Sequence, residues 1–337
     1  MTGHRTFALG DVTLQSGTVL KDAQLVYQTY GSLNEASDNA VLIPTFYTGD
    51  HVRNEFYFGP GRAIDPGRHF VVSINLFGNR LSSSPSNTAA PQDGPRFPHT
   101  SFHDNVACQH RLLTEELGVK RLKLVTGWSM GACQSFQWGA QFPGMVDAIL
   151  PFCGSAKTAP HNIVFLEGVK AALCADQNWN GGDYSTKPVA GLKAFGRVYA
   201  GWAFSQTWYR ERHYRALGFE TPEDLLVDWE HDHVDNWDPN NLFHKLHTWQ
   251  AGDISANETY GGDIAKALGA IKAKAIVMPA STDLYFPPED SVIEVSHMPN
   301  AELRVFDTVW GHCCASGNNE PAFHRFFDEA AAELLAD

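Results

Sequence analysis

Residues 122–141 read Leu122-Lys-Leu-Val-Thr-Gly-Trp-Ser-Met-Gly-Ala-Cys-Gln-Ser-Phe-Gln-Trp-Gly-Ala-Gln141. The run Leu122 to Thr126 is short, mostly apolar and β-branched, as a buried strand would be, and Ala132 to Gln141 reads as a helix. Between them stands Gly127-Trp128-Ser129-Met130-Gly131, a G-x-S-x-G between strand and helix. A nucleophile elbow needs this context, a sharp strand-to-helix turn that lifts a serine hydroxyl out of a sheet. Glycines two residues to either side leave room for the turn. Ser129 then sits at a helix N-terminus, where free N–H groups and the helix dipole favour developing negative charge. In a chain with 29 glycines the five-residue pattern alone is only moderately specific, so the strand before it and the helix after it carry the reading.

Working outward, three more runs resemble that strand: Ala40-Val-Leu-Ile-Pro44, Phe70-Val-Val-Ser-Ile74 and Ala275-Ile-Val-Met-Pro279. None alternates polar with apolar residues, which fits strands covered on both faces of a parallel sheet. Ala301 to Asp307 reads as one further strand. Asp104 to Leu117 has helical spacing and ends at Gly118, a plausible C-cap. Strands alternating with helices predict an α/β doubly wound sheet. Between about Ser155 and Tyr260 the strand runs stop and aromatic residues crowd in, among them Trp179, Tyr199, Trp202, Trp208 and Trp229. The expected organisation is one sheet-based core, residues 1–155 and 261–337, with a helical lid inserted at 156–260. Most of the aromatics should pack the lid, and a few should line a pocket.

Length and composition narrow the function classes. The chain has 337 residues, 43% apolar and 19% charged, with 25 Lys and Arg against 38 Asp and Glu. A net charge of −13 spread along the chain argues against a nucleic-acid partner, which requires clustered cations. No apolar run approaches the length of a membrane span, and the N-terminus lacks the apolar stretch of a secretion signal, so the expectation is a cytoplasmic protein without a membrane partner. The six cysteines have irregular spacing and form no C-x-x-C, which reads as reduced thiols.

A serine nucleophile needs a base and an acid that orients it, in the chain order Ser, acid, His for this kind of sheet. Asp283 follows the strand Ala275–Pro279, and His312 follows the strand that starts at Ala301; with Ser129 they form the expected triad. Asp290 and Asp307 compete as the acid and His297 as the base. Asp290 sits where a helix start would use it as a cap, and His297 where a helix would end. The oxyanion donors should be the N–H of Met130 and one from the loop Pro44 to His51, at Tyr47 or Phe46. Glu230-His231-Asp-His233 resembles a metal cluster but has no third ligand at a recognisable spacing, and reads as an acidic, hydrated part of the lid. No metal site and no cofactor are predicted. Cys313 and Cys314 read as small residues filling the back of the site.

These motifs resemble the homoserine O-acetyltransferase family over almost the whole chain. Gly127-Trp-Ser-Met-Gly-Ala-Cys-Gln-Ser-Phe-Gln-Trp138 is similar to that family's elbow helix, as are Gln141-Phe-Pro-Gly-Met-Val, Gly154-Ser-Ala-Lys-Thr-Ala-Pro-His-Asn and Asp283-Leu-Tyr-Phe-Pro-Pro-Glu. Tyr47-Thr-Gly-Asp-His51 looks like its oxyanion loop, which implies Tyr47 as the donor. The resemblance implies an α/β-hydrolase fold, a Ser-Asp-His triad, an acyl-serine intermediate and a homodimer formed through the lid. Two positions depart from it. The family places an aspartate directly after the catalytic histidine, where this chain has Cys313. The family's lid arginine matches Arg197, but the tyrosine seven residues later is Phe204 here. A zwitterionic amino acid needs both of its charges compensated in a dry pocket. The expected activity is therefore hydrolysis of a small acyl ester, with Arg197, Phe204 and Cys313 facing the substrate. The alternative is an acyl-CoA-dependent O-acetyltransferase acting on homoserine or another alcohol. A non-catalytic scaffold of the same fold would predict a broken triad.

Overall fold

Strands that read as continuous apolar runs are the ones covered on both faces. The computed structural model describes residues 3–317 and 319–336. Its sheet contains β1 (Arg5–Thr13), β2 (Val19–Tyr30), β3 (Ala40–Pro44), β4 (Phe70–Ile74), β5 (Leu122–Trp128), β6 (Ala148–Phe152), β7 (Lys274–Val277) and β8 (Ala301–Leu303). Every residue of β3, β4 and β6 is buried. The eight strands run in the order β1-β2-β4-β3-β5-β6-β7-β8. From β4 to β8 all pairings are parallel. Alternate strand residues feed opposite faces: Val41, Ile43, Leu124 and Leu150 join one core, and Leu42, Val72, Val125 and Ile149 the other.

The helices are α1 (Phe102–Arg111), α2 (Met130–Gln141), α3 (Pro160–Cys174), α4 (Val189–Ala203), α5 (Gln206–Arg210), α6 (Pro222–Asn236), α7 (Pro239–Gln250), α8 (Ile264–Gly269), α9 (Pro288–Ser296) and α10 (Pro321–Leu335). The fold is the expected α/β sheet, with four local differences. β1 and β2 form an antiparallel hairpin at the sheet edge, and β2 pairs antiparallel with β4. β6 is hidden in the sequence by Pro151, a residue that disfavours central strands, yet the Pro151 carbonyl still accepts the Met278 N–H at 2.9 Å. The strand expected to run to Asp307 stops at Leu303, and Phe306 only bridges Ala280. In the expected helix ending at Leu117, α1 gives way to a wider π-turn at Leu112–Glu116. Gly118 follows at φ 69°, as expected for a left-handed cap. No helix among the described residues is long and apolar enough to cross a membrane.

Helices α3 to α7 all fall between β6 and β7. The chain leaves and rejoins the sheet side by side: Thr158 N–H donates to Gly252 O at 2.8 Å and Ile254 N–H to Ala156 O at 3.1 Å. Lys157 and Asp253 bridge the same crossing at 2.8 Å. Glu294 of α9 accepts the Ala156 N–H at 2.6 Å from a buried position. Burial pushes its carboxyl up from the ordinary 4.5 to about 8. The folded chain thus keeps a proton that the unfolded chain has released, so this group lowers stability as pH rises from 4.5 toward 8. Glu294→Gln should flatten that fall, and thermal unfolding at pH 5 and pH 8 should show the variant gaining on the wild type at the higher pH.

Candidate active site

The turn from β5 into α2 holds Ser129 at φ 58°, ψ −122°. A non-glycine residue there carries strain of roughly 1–3 kcal/mol, sustained only by the structure around it. The backbone is gripped on both sides: Ser129 N–H donates to Phe152 O and Ser129 O accepts from Cys133 N–H, each at 3.1 Å. The glycines are required by contact. A Cβ at Gly127 would lie 2.7 Å from the Gly131 carbonyl carbon, and one at Gly131 would lie 2.8 Å from Pro44 O. The Ser129 hydroxyl makes no capping bond to its own helix.

Asp283 lies in the turn after β7 and is buried. Its Oδ1 accepts the Tyr285 and Phe286 N–H groups at 2.8 and 3.1 Å. Its Oδ2 meets His312 Nδ1 at 2.7 Å. With a carboxylate on Nδ1, the imidazole proton is directed there and Nε2 is free to act as a base. The His312 ring stacks on Trp128 at 5.0 Å between centroids and takes the edge of Tyr285 at 4.7 Å. Ser129 and His312 face one cavity, although their side chains share no direct hydrogen bond in this structure.

The competing groups sit elsewhere. Asp307 accepts the Ser281 hydroxyl at 2.9 Å. Asp290 is in the first turn of α9, but that helix is capped by no side chain, so the expected capping role does not hold. His297 ends α9 as its C-cap. Met130 is the first residue of α2, so its N–H has no acceptor within the helix. Tyr47 lies in the loop after β3, with its N–H bonded to no acceptor among the described residues. The Phe46 carbonyl closes a turn with Gly49 N–H at 3.2 Å.

The cavity has a volume of about 470 Å³, with Ser129, His312, Tyr47, Trp128, Tyr199, Phe204, Trp229, Tyr285 and Cys313 among its lining. Burial pushes the Cys313 thiol up to about 12, which keeps it neutral. Arg197 is a correction: it lies outside this lining, on the partly exposed side of α4, and is held by Glu223 and Glu230. The segment Glu230 to His233 is another, being only partly hydrated. Glu230 and His233 are buried, and His233 Nδ1 bonds the Trp229 carbonyl at 2.7 Å. Among the described residues no group of three or more His, Cys, Asp and Glu could hold a metal ion.

Sequence reasoning missed the mouth of the cavity. Asp228, Asp232 and Asp235 line it from the exposed face of α6, with Arg53 as the one Lys or Arg among the described lining residues. The aspartates recur at i, i+4 and i+7, a helical stripe visible in the sequence.

Similarity to known proteins follows the same lines. An ethyl acetate hydrolase of Pseudomonas veronii is 35% identical, over 97% of this chain and 94% of that protein. The crystal structure of an acetylester hydrolase from Corynebacterium glutamicum superposes with a TM-score of 0.94 at 38% identity, covering 99% of this chain and 96% of that one. A homoserine O-acetyltransferase of Chloroherpeton thalassium is 30% identical, over 89% of this chain and 82% of that protein. Residues 41–313, from β3 to the turn that carries His312, match the family described by its alpha/beta hydrolase fold, and the chain belongs to that family.

Proposed function

We propose that this chain is a serine esterase that hydrolyses small acyl esters, acetyl esters first among them, through an acyl-Ser129 intermediate. The observation that carries the reading is the 2.7 Å contact from Asp283 to His312 Nδ1, with His312 and Ser129 facing one cavity. The esters named for two of its relatives, ethyl acetate and acetyl esters, agree with it.

In the proposed reaction Ser129 Oγ attacks the ester carbonyl while His312 Nε2 takes its proton. The Ser–His contact tightens as the substrate binds, as such contacts commonly do on going from the free enzyme. Asp283 stabilises the imidazolium, and the Tyr47 and Met130 N–H groups receive the negative charge on the carbonyl oxygen. Collapse breaks the ester bond, and the alcohol leaves with the proton from His312. Water, deprotonated by His312, then attacks the acyl carbonyl, releases the acid and returns the proton to Ser129. Residues 156–260 act as a lid that walls the cavity with Tyr199, Phe204 and Trp229. No cofactor enters this scheme.

The second reading, acyl transfer from CoA to homoserine or another alcohol, meets three obstacles in the cavity, the first two for homoserine and the third for any acyl-CoA. Arg197, which would hold the substrate carboxylate, is engaged by two glutamates instead. Cys313 stays neutral and cannot pair an ammonium. The rim presents Asp228, Asp232 and Asp235 to any donor entering it, and CoA carries several phosphate charges of the same sign.

Three outcomes follow. Ser129→Ala should abolish ester turnover by about 10⁴-fold or more with folding intact, and a folded variant that keeps its activity would refute the nucleophile. Asp283→Asn should leave KM near wild type and cut kcat strongly, because the wrong histidine tautomer is favoured; an equal loss in Asp307→Asn or Asp290→Asn would move the acid elsewhere. Supplied with acetyl-CoA and millimolar homoserine, the enzyme should form little acetyl-homoserine while it hydrolyses simple acetyl esters rapidly. Stoichiometric acetyl-homoserine with negligible ester hydrolysis would establish the transferase instead.

A further inference from the structure

Lys245 is a lysine with no measurable exposure, in α7. Lysine is seldom fully buried without a carboxylate to balance it. No ion pair involving Lys245 exists among the described residues. Its ammonium instead lies 4.1 Å from the centre of the Trp237 ring and 5.1 Å from that of Tyr47. Its hydrogen bond goes to the backbone carbonyl of Tyr47.

The same helix holds Tyr47 a second time, since the Tyr47 hydroxyl donates to Leu242 O at 2.9 Å. From the opposite side, Gln134 of α2 donates to the Thr45 carbonyl at 2.9 Å. The loop that offers the Tyr47 N–H is therefore held between the elbow helix and a helix of the excursion. Gln134 acts two residues before Tyr47, and Lys245 acts on the peptide group that follows its N–H. An oxyanion donor is effective only if aimed where the charge develops, so the peptide beside it must not tilt.

We propose that Lys245 is a positioning residue for the oxyanion hole, which through the Tyr47 carbonyl fixes the direction of the Tyr47 N–H. The inference rests on the esterase reading above and assigns α7 a part in it. Burial holds the ammonium well below the usual lysine range, so a charge is a cost to the fold here. An apolar chain of similar size avoids the cost of burying that group, so the substitution need not lower stability. A side chain kept for packing and one kept for aim thus respond differently to the same substitution.

The test is Lys245→Met, assayed with p-nitrophenyl acetate and with a trifluoromethyl ketone, whose serine adduct places an oxyanion in the hole. The expected result is a kcat lowered about 10- to 100-fold, part of the loss for deleting a donor outright, with KM within about threefold of wild type by the same differential-binding logic. Ketone affinity should weaken by the same factor as kcat/KM, and unfolding should stay cooperative with a midpoint near wild type. Lys245→Gln, which keeps an N–H donor without the charge, should lose less. Should Lys245→Met not fold, Lys245→Gln is read by the same two assays, with its losses in kcat/KM and in ketone affinity expected to match each other. Unchanged kcat and ketone affinity, or a loss of stability with ketone affinity intact, would overturn the proposal. A wild type inert toward every acetyl ester would overturn the esterase reading itself, an outcome distinct from an active wild type indifferent to Lys245.

Discussion

The close approach of Gly131 to the Pro44 carbonyl is the constraint on which the rest of the site depends. A side chain at 131 would stand 2.8 Å from that oxygen, and one at 127 would meet the Gly131 backbone. With both absent, α2 can start directly against the ends of β3 and β5, and Ser129 can be held at φ 58°. The strain is offset by bonds to two neighbours: Phe152 at the end of β6 accepts from Ser129, and Cys133 in α2 donates to it. One tight turn thereby brings Ser129, the first N–H of α2 and the loop after β3 to the same edge of the sheet, the edge where open α/β sheets bind their ligands.

The other two catalytic candidates reach that edge from β7 and β8, and they are held differently. Asp283 is fixed by backbone donors from Tyr285 and Phe286, so its free oxygen has one direction left, toward His312. His312 is fixed by rings, with Trp128 on one face and Tyr285 at an edge. Trp128 is the residue before Ser129. The elbow therefore supplies the surface on which His312 rests, and a displacement of β5 would move both together.

What could be read from the sequence depended on whether the cause was local. β3, β4 and β5 declare themselves because a strand covered on both faces is mostly apolar without alternation, and the elbow because its turn requires glycines at fixed spacing. Asp283 and His312 were legible because chain order and strand ends restrict where an acid and a base can stand. β6 was hidden by Pro151, and the β1–β2 hairpin has one exposed face and a polar interior stretch, Lys-Asp-Ala-Gln. Arg197 was misplaced because its partners, Glu223 and Glu230, sit on another helix, and no spacing rule within α4 reveals them. Lys245 was missed for the same reason, since its acceptor lies 198 positions away.

That pattern bears on how two activities can share one framework. Hydrolysis and acyl transfer need the same nucleophile, base and oxyanion donors, and differ in what the cavity offers the second reactant. In this chain the acidic groups near the cavity divide into two sets. Glu223 and Glu230 neutralise Arg197 away from the lining, whereas Asp228, Asp232 and Asp235 at the rim have no Lys or Arg partner among the described residues. Both sets lie on α6, on different faces of one helix. The helix that removes a cation from reach of a substrate carboxylate is thus also the one that meets an incoming anion with like charge. A neutral ester is indifferent to both effects, and water needs no charged group to hold it. In the proposed reaction, selectivity for hydrolysis then comes from the placement of charge on α6 rather than from any change in the catalytic groups.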